Sequence, residues 1–258
     1  MSDEEIIIRE CLSIDDFQQC IELERLVWND DDIDIMPIRL YMISKNCNAP
    51  TFGAFTSSGR LIGFVHTSLA LLDKNIVYHS HLAGVIEELR HKDIGYQLKL
   101  AQREHAIAAG VPMIFWSFDP LQSRNAHFNI NKLGAIIRTY KINYYGEGVS
   151  SVFDSHLPSD RVIAQWWIGS PHVENVLRSN RPNVETPDSN VKIPDNIDAI
   201  RAESLEEHIS WRMKVREDFL AALEQGSIVR GFVRDVEKKT SSYLFDKDED
   251  QFHFTDRV

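Results

Sequence analysis

A basic cluster of Arg90, His91 and Lys92 lies directly before a predicted helix that begins near Ile94. The first turn of a helix has backbone N–H groups without intrahelical partners, and it carries the positive end of the helix dipole. With the basic side chains beside it, such a turn could hold a phosphate or a diphosphate. A charged surface loop that leads into an ordinary helix is the alternative, and this segment alone does not decide between them.

Regular spacing of apolar residues predicts this helix and the strands before it. The helix has one face with residues at helical intervals, and Gly110 and Pro112 end it. The turns between three upstream strands are only a few residues long, so these strands should be adjacent and antiparallel. The helical face consists of Ile94, Leu98, Ala101, His105 and Ala108, and the strands are Thr51 to Thr56, Leu61 to Leu71 and Ile76 to Ile86.

Strands and helices also alternate in the flanking segments. Near the N-terminus a β-branched run is followed by N-cap chemistry at Ser13 to Asp16, which predicts a strand and then a helix. A second helix is expected over Pro37 to Lys45, with proline in its first turn. The other expected elements are strands at Glu5 to Cys11, Met113 to Phe118, Ala135 to Tyr145 and Arg161 to Ile168, and a helix at Ala126 to Lys132.

The last third of the chain is expected to form a separate element. Prolines and polar residues predict a linker at residues 180–196. A long helix is predicted over Ser204 to Glu224, then a hairpin of Ile228 to Val236 and Ser242 to Phe245, and then an acidic tail over Asp246 to Asp250. We therefore divide the chain into a main domain at residues 1–170 and an α+β extension at residues 171–258, with the hairpin at about 228–245.

Arg90 and Gly95 occupy the ends of a short pattern: Gln or Arg, two residues, Gly, one residue, then Gly or Ala. This pattern is the signature of the GNAT (Gcn5-related N-acetyltransferase) superfamily, which the segment resembles, with Asp93 at the first glycine position. The turn Lys132 to Gly134 resembles the second GNAT motif. Trp116 to Leu121, Ser123 to Ala126 and Tyr140 to Gly146 resemble a little-characterised GNAT subgroup of bacteria and archaea, and the resemblance covers residues 5–170.

The resemblance implies an α/β fold with a mixed, mostly antiparallel sheet whose central strands splay to admit the pantetheine arm of coenzyme A. It also implies acyl transfer from acetyl-CoA, or from another short acyl-CoA, to an amine. Pantetheine would pair with the strand at Ala83, Gly84 and Val85. The rest of the cofactor would contact Arg90, His91, Lys92, Ile94, Gly95, Tyr96 and Asn125.

Two residues depart from the superfamily pattern. An aspartate at position 93 could cap the helix and compete with a diphosphate for the same amides. Ile130 stands where many relatives have a tyrosine that protonates the departing thiolate. Another donor, or solvent, would then have to supply that proton.

His79 stands six residues before Val85, where some superfamily members have a glutamate base. A histidine with an ordinary pKa of about 6.5 suits deprotonation of an ammonium group near neutral pH. His81 should share the strand face of His79, since side chains two residues apart point the same way. Both histidines could instead be partly buried and structural. A metal pair is a third interpretation, but the sequence offers no clear third ligand.

The resemblance implies that Trp116 and Asp119 line an opening that could receive an amine, although Trp116 could equally belong to the core. Arg138 could bind a substrate carboxylate bidentately, as could Arg161. Each arginine could also simply form a salt bridge at the surface. We take Trp116, Asp119 and Arg138 as the predicted substrate residues.

Composition narrows the class of partner. The formal net charge of −11 disfavours nucleic acid, and no apolar run approaches the length of a membrane span. Three cysteines without paired spacing and an acidic N-terminus without a signal peptide predict a cytoplasmic protein. The preferred acceptor is a small-molecule amine such as an amino acid. A non-catalytic module that binds coenzyme A or a partner is the alternative; a homodimer is compatible with the sequence.

Overall fold

The computed structural model describes residues 5–28, 32–90, 92–146, 157–179 and 187–248. The chain divides into two compact units. The first contains the described residues up to Ile114, and the second contains those from Phe115 onward. Each unit is an α/β structure built on mostly antiparallel strands, in agreement with the predicted fold class.

The described residues of the first unit form a four-stranded meander and three α-helices. Its strands pair antiparallel in chain order, which confirms the predicted arrangement. A single 3-10 turn, Glu87–Leu89, follows the last strand. The elements are β1 (Ile6–Glu10), α1 (Ile14–Trp28), α2 (Ile38–Asn46), β2 (Thr51–Thr56), β3 (Leu61–Leu72), β4 (Asn75–Val85) and α3 (Ile94–Ala108).

Apolar faces of the helices and strands form the core of the first unit. Phe17 of α1 and Tyr41 of α2 stack with ring centroids 5.6 Å apart, and both are buried beside Phe64 of β3. Helix α3 contributes Ile94 and Leu98, which are one helical turn apart and both buried. This packing fixes the helix that begins at Ile94 against the strands.

The predicted N-cap of α1 is formed. Ser13 Oγ accepts a hydrogen bond from the Asp16 backbone N–H at 3.0 Å. The Asp16 carboxylate in turn accepts the N–H groups of Leu12 and Ser13 and binds the Arg9 guanidinium through both oxygens. These bonds hold the pKa of Asp16 well below its usual range, with the Arg9 contact as the largest cause.

The second unit contains six strands and four α-helices among its described residues. The strand order is β5-β7-β6-β9-β10-β8, so β7 lies between β5 and β6. All the pairings from β7 to β8 are antiparallel. The elements are β5 (Ile114–Phe118), α4 (Ser123–Ala126), β6 (Ile136–Lys141), β7 (Arg161–Trp166), α5 (Pro171–Ser179), β8 (Ser189–Pro194), α6 (Ile197–Glu203), α7 (Leu205–Glu224), β9 (Ser227–Asp235) and β10 (Thr240–Lys247).

Several predicted boundaries in the second unit need correction. The helix expected to start at Ala126 starts at Ser123 and continues as a π-helix over His127–Lys132. The strand expected to reach Tyr145 ends at Lys141, because the chain turns there and Asn143 has a φ of 47°. Neither α5 nor α6 was predicted.

The predicted linker is wrong in part. Residues 180–186 lie outside the described residues, but Ser189–Pro194 form β8, which pairs with β10. Val191 and Ile193 of β8 are buried and alternate with exposed Asn190 and Lys192, which is the pattern of a strand. Proline is tolerated here because β8 is the last strand in the order. The expected tail falls partly in β10, and its residues 249–250 lie outside the described residues.

The long helix α7 and the hairpin β9–β10 are confirmed, and α7 shares its core with β6. Phe219 of α7 packs against Tyr140, with ring centroids 5.5 Å apart. Arg216 of α7 binds both oxygens of the fully buried Asp160, which also accepts the Tyr140 hydroxyl. Within the described residues, no helix is both long and apolar enough to cross a membrane.

Candidate active site

Helix α3 begins without a side-chain cap. The Asp93 side chain makes no capping hydrogen bond to α3, and its backbone has a φ of 54° and a ψ of 17°. The Asp93 carbonyl accepts the first helical bond, from the Gln97 N–H at 3.0 Å. The Asp93 carboxylate therefore does not cover the first-turn amides, contrary to the competition expected from the sequence.

The backbone of Asp93 has a conformation that glycine adopts easily. A φ of 54° lies in the left-handed region, which glycine adopts freely and most other residues adopt at a cost. Aspartate is among the residues that tolerate this region best. The substitution therefore keeps the turn that aims the first amides of α3, and what it adds is a negative charge.

Charged side chains of both signs surround this turn. Arg90 and Lys92 are exposed, and Arg90 Nε donates to the Val85 carbonyl at 3.2 Å. Glu87 and Glu88 are exposed on the preceding 3-10 turn. His91 lies outside the described residues. The basic pair can attract a diphosphate, but the local field is weaker than the sequence Arg-His-Lys alone would give.

Strand β4 reaches this turn with small residues. Ala83, Gly84 and Val85 pair with β3 on one side and are not buried. A Cβ atom added at Gly95 would approach the nearest Val85 methyl only to 3.9 Å, which is ordinary contact. A small side chain is therefore tolerated at Gly95, in the first turn of α3, whereas Gly84 has no such room because the indole of Trp28 lies against it.

The two predicted catalytic histidines lie together on β4. The rings of His79 and His81 have centroids 5.5 Å apart, which confirms that they are neighbours. Burial, helped by the charges of His81 and Lys99, lowers the pKa of His79 to about 4. Burial also lowers the pKa of His81, although its side chain is more exposed. Both rings are therefore neutral at neutral pH.

A third histidine of this group, His66, was not among the predicted site residues. It is fully buried on β3, its Nδ1 bonds to Thr51 Oγ1 at 2.7 Å, and its ring lies 6.3 Å from that of His81. Burial lowers its pKa to about 3, and its Nε2 has no hydrogen-bond partner in the described part of the chain. The short turn between β3 and β4 was the signal that could have found it, because a regular hairpin continued from the Leu72–Asn75 pair brings His66 to the level of His81.

A metal pair was one interpretation of His79 and His81. Among the residues that the structure describes, no group of three or more His, Cys, Asp or Glu side chains could hold a metal ion. His79 and His81 are two neighbouring imidazoles on one strand.

The predicted substrate residues lie in the second unit, and each is engaged there. Trp116 is buried with its ring edge-on to Trp166 at 6.2 Å. Asp119 accepts a hydrogen bond from Arg212 at 2.8 Å. Arg138 donates to both oxygens of Asp248 at 2.7 Å.

Two further predicted positions also lie in the second unit. Asn125 is exposed on α4, while Ile130 is fully buried in the π-helix that follows. Arg161, the other arginine considered for a carboxylate, donates to the Asp160 carbonyl at 2.8 Å. Ile130 cannot supply a proton, as its side chain already implied.

Comparison with solved structures identifies the fold. A protein of Acinetobacter baylyi, described as an acetyltransferase, superposes with a TM-score of 0.52 at 14% identity over 66% of this chain and 96% of its own. A GNAT acetyltransferase of Streptococcus pneumoniae gives 0.50 at 16% identity over 62% and 98%. The sequence matches no known family profile and no curated protein. The chain therefore has the GNAT acetyltransferase fold.

Proposed function

We propose that this protein is an acyl-CoA-dependent N-acyltransferase that transfers an acetyl or another short acyl group directly to a small-molecule amine. The observation that carries the proposal is the uncapped start of α3, where Asp93 leaves the first amides to a ligand. The fold, which is that of acetyltransferases, supports the same reaction.

The residues of the first unit have distinct roles in this proposal. The first-turn amides from Ile94 to Tyr96, with Arg90 and Lys92, bind the diphosphate. The backbone of Ala83 to Val85 orients the pantetheine arm. Acyl-CoA supplies the activated thioester, and the protein contributes alignment and a site for the proton that the amine loses.

His79 is the proposed proton acceptor, with His81 beside it. A ring that is neutral at neutral pH is in the correct state to accept a proton. A pKa of about 4, however, makes His79 a weak base, so it would need a partner or a change of surroundings when the amine binds. The same low pKa supports the alternative function, a non-catalytic module that binds coenzyme A without turnover.

An amino acid or a similar metabolite is the proposed acceptor. Asp119 could receive its ammonium group only if the bond to Arg212 opened, and Arg138 could receive a carboxylate only if Asp248 left. Binding of the acceptor at these two residues therefore requires that it displace Arg212 and Asp248.

Calorimetric titration with acetyl-CoA tests the binding site. Gly95→Ala adds a methyl group at ordinary contact distance from Val85 and should bind as the wild type does, whereas Gly95→Trp should abolish binding by blocking the first turn. Equal binding by both variants would contradict the proposed site.

Thiol release over a panel of amino acids and other primary amines tests the reaction. Activity that is lost in His79→Ala and kept in His81→Ala supports His79 as the proton acceptor. Equal activity in the two variants would show this assignment to be wrong. Acetyl-CoA binding without release on any amine would support the non-catalytic module.

A further inference from the structure

The pairing of β3 with β4 shifts register beside the histidines. Ser80 pairs with Thr67, and the next paired residue on β4 is Leu82, which pairs with His66. His81 is therefore an extra residue in β4, and the two strands form a β-bulge at this point. A bulge increases the local twist and re-aims the side chains on both sides of it, so it sets the directions of His79 and of the stretch of β4 that follows His81.

Two side chains of α3 bond to the last residue pair before the bulge. Lys99 Nζ donates to Ser80 Oγ at 2.7 Å, and Gln102 Nε2 donates to Thr67 Oγ1 at 2.9 Å. Lys99 Nζ also donates to Gln102 Oε1 at 3.0 Å. The four side chains thus form one continuous chain of hydrogen bonds from β4, through α3, to β3.

This polar chain is buried. Lys99 is 4% exposed, and Thr67 and Gln102 are fully buried. Burial of an amine is costly, and an apolar residue of similar volume would pack at lower cost. Burial lowers the pKa of Lys99 well below its usual range. When every polar group of a buried network is hydrogen-bonded, the bonds form in only one arrangement of the side chains. Such a network therefore specifies that arrangement, even where apolar packing would be more stable.

The position of the network indicates which arrangement is specified. A slip of one residue between β3 and β4 would move Ser80 or Thr67 to the opposite strand face and break its bond to α3. Lys99 and Gln102 lie three residues apart on one helix face, so they contact both strands at the same level. The α3 pair therefore selects the register in which His81 is the extra residue.

We propose that Lys99 and Gln102 are positioning residues that fix the β-bulge at His81 and thereby orient the stretch of β4 from His79 to Val85. The inference rests on the proposed function in one respect only: the same stretch of β4 would accept the proton that the amine loses and would hold the pantetheine arm. The bulge and its hydrogen bonds do not depend on the activity.

Lys99→Met removes the amine while it keeps a similar volume, and Thr67→Val removes the bond at the other end of the chain. Leu98→Val is the control, because it perturbs a neighbouring buried residue of α3 that has no part in the network. The readouts are amide hydrogen exchange at His81 and Leu82 and the NMR resonances of the His79 and His81 rings. Where the wild type is active, kcat and KM are measured as well.

In both network variants the amides of His81 and Leu82 should exchange faster than in the wild type, and the ring resonances of His79 and His81 should shift. Leu98→Val should change neither. For an active enzyme, kcat should fall roughly tenfold to a hundredfold, as expected for a misplaced catalytic group, with a smaller change in KM for acetyl-CoA. If Lys99→Met does not fold, Thr67→Val decides the question.

If a folded network variant has the amide exchange rates and the histidine ring resonances of the wild type, the positioning role is overturned. A wild type that binds no acetyl-CoA would contradict the proposed function, while the exchange and NMR results would still report on the bulge. The two failures are therefore distinguishable.

Discussion

The indole ring of Trp28 lies against the backbone of Gly84: a Cβ atom added at Gly84 would stand 2.8 Å from Cη2 of Trp28. Trp28 is the last residue of α1, and it also packs edge-on against Phe64 of β3, with ring centroids 6.3 Å apart. The end of α1 is thus fixed on the stretch of β4 that the proposed function assigns to pantetheine.

Gly84→Ala should therefore destabilise the protein by about 1–3 kcal/mol, as overpacking of a tight site does. Gly95→Ala is the matched control, since its added methyl group meets nothing closer than 3.9 Å. Urea unfolding measures both free energies. Equal stabilities for the two variants would show that Trp28 can move away from β4 at no cost.

The left-handed backbone of Asp93 leads to a second prediction. Asp93→Gly should match the wild type in stability to within about 1 kcal/mol, because glycine relieves the strained φ but gains freedom in the unfolded chain. Asp93→Val should lose more than about 1 kcal/mol, since a β-branched residue is poorly suited to this region. Thermal unfolding compares the three proteins, and a valine variant as stable as the glycine variant would contradict the conformation.

Asp93→Asn isolates the charge at the same position. Asparagine keeps the tolerance for a positive φ and removes the carboxylate beside the first-turn amides. Acetyl-CoA should then bind more tightly than to the wild type, and the gain should shrink at high salt. Weaker binding to Asp93→Asn would mean that the carboxylate takes part in ligand binding rather than opposing it.

Short-range patterns predicted the first unit well. The Ser13 cap, the β2–β3–β4 meander and the α3 helix each depend on residues a few positions apart, and each was found close to where it was expected. The bulge at His81 was not predictable in this way. It depends on Lys99 and Gln102, which reach β3 and β4 from a helix that follows both strands in the sequence.

In the second unit, local sequence patterns predicted less of the structure. Prolines and polar residues over 180–196 predicted a linker, although Val191 and Ile193 alternate with polar residues as in a strand. The partners of Asp119 and Arg138 lie 93 and 110 residues away, so no local pattern could show that these side chains were already engaged. The sequence shows that these side chains are charged, but whether they are available to a substrate depends on the tertiary structure.

Stability should fall as the pH is lowered below neutrality, because neutral histidines are buried. The pKa of His66 is about 3 in the folded protein and about 6.5 when exposed, so between these values the unfolded chain binds one more proton. The free energy of unfolding should then drop by roughly 1.4 kcal/mol for each pH unit from about 6.5 downward. His79, with a pKa of about 4, adds to the same trend.

His66→Asn tests the cause of this pH dependence. Asparagine can keep the bond to Thr51 but does not titrate, so the slope of unfolding free energy against pH should decrease between about pH 6.5 and about pH 4.5. Carboxylates contribute little to the slope there, because their ordinary pKa values lie lower. An unchanged slope would show that His66 is not buried in its neutral form.

The ion pair of Asp119 and Arg212 decides whether Asp119 is available to a substrate. Their side chains are 19% and 6% exposed, with 2.8 Å between Arg212 NH2 and Asp119 Oδ2. Asp119→Ala should cost about 3–5 kcal/mol, since it leaves a buried guanidinium without its carboxylate. The Lys214 and Asp218 pair on the same helix is 58% and 39% exposed and serves as the control.

Asp218→Ala should cost less than about 1 kcal/mol, as exposed pairs do. Combining Asp119→Ala with Arg212→Met should recover part of the loss, because no buried charge is then left alone. Urea unfolding measures all four proteins, and activity is compared only at temperatures where each is folded. If Asp119→Ala costs no more than Asp218→Ala, the bond to Arg212 opens easily, and Asp119 is free to bind the acceptor amine.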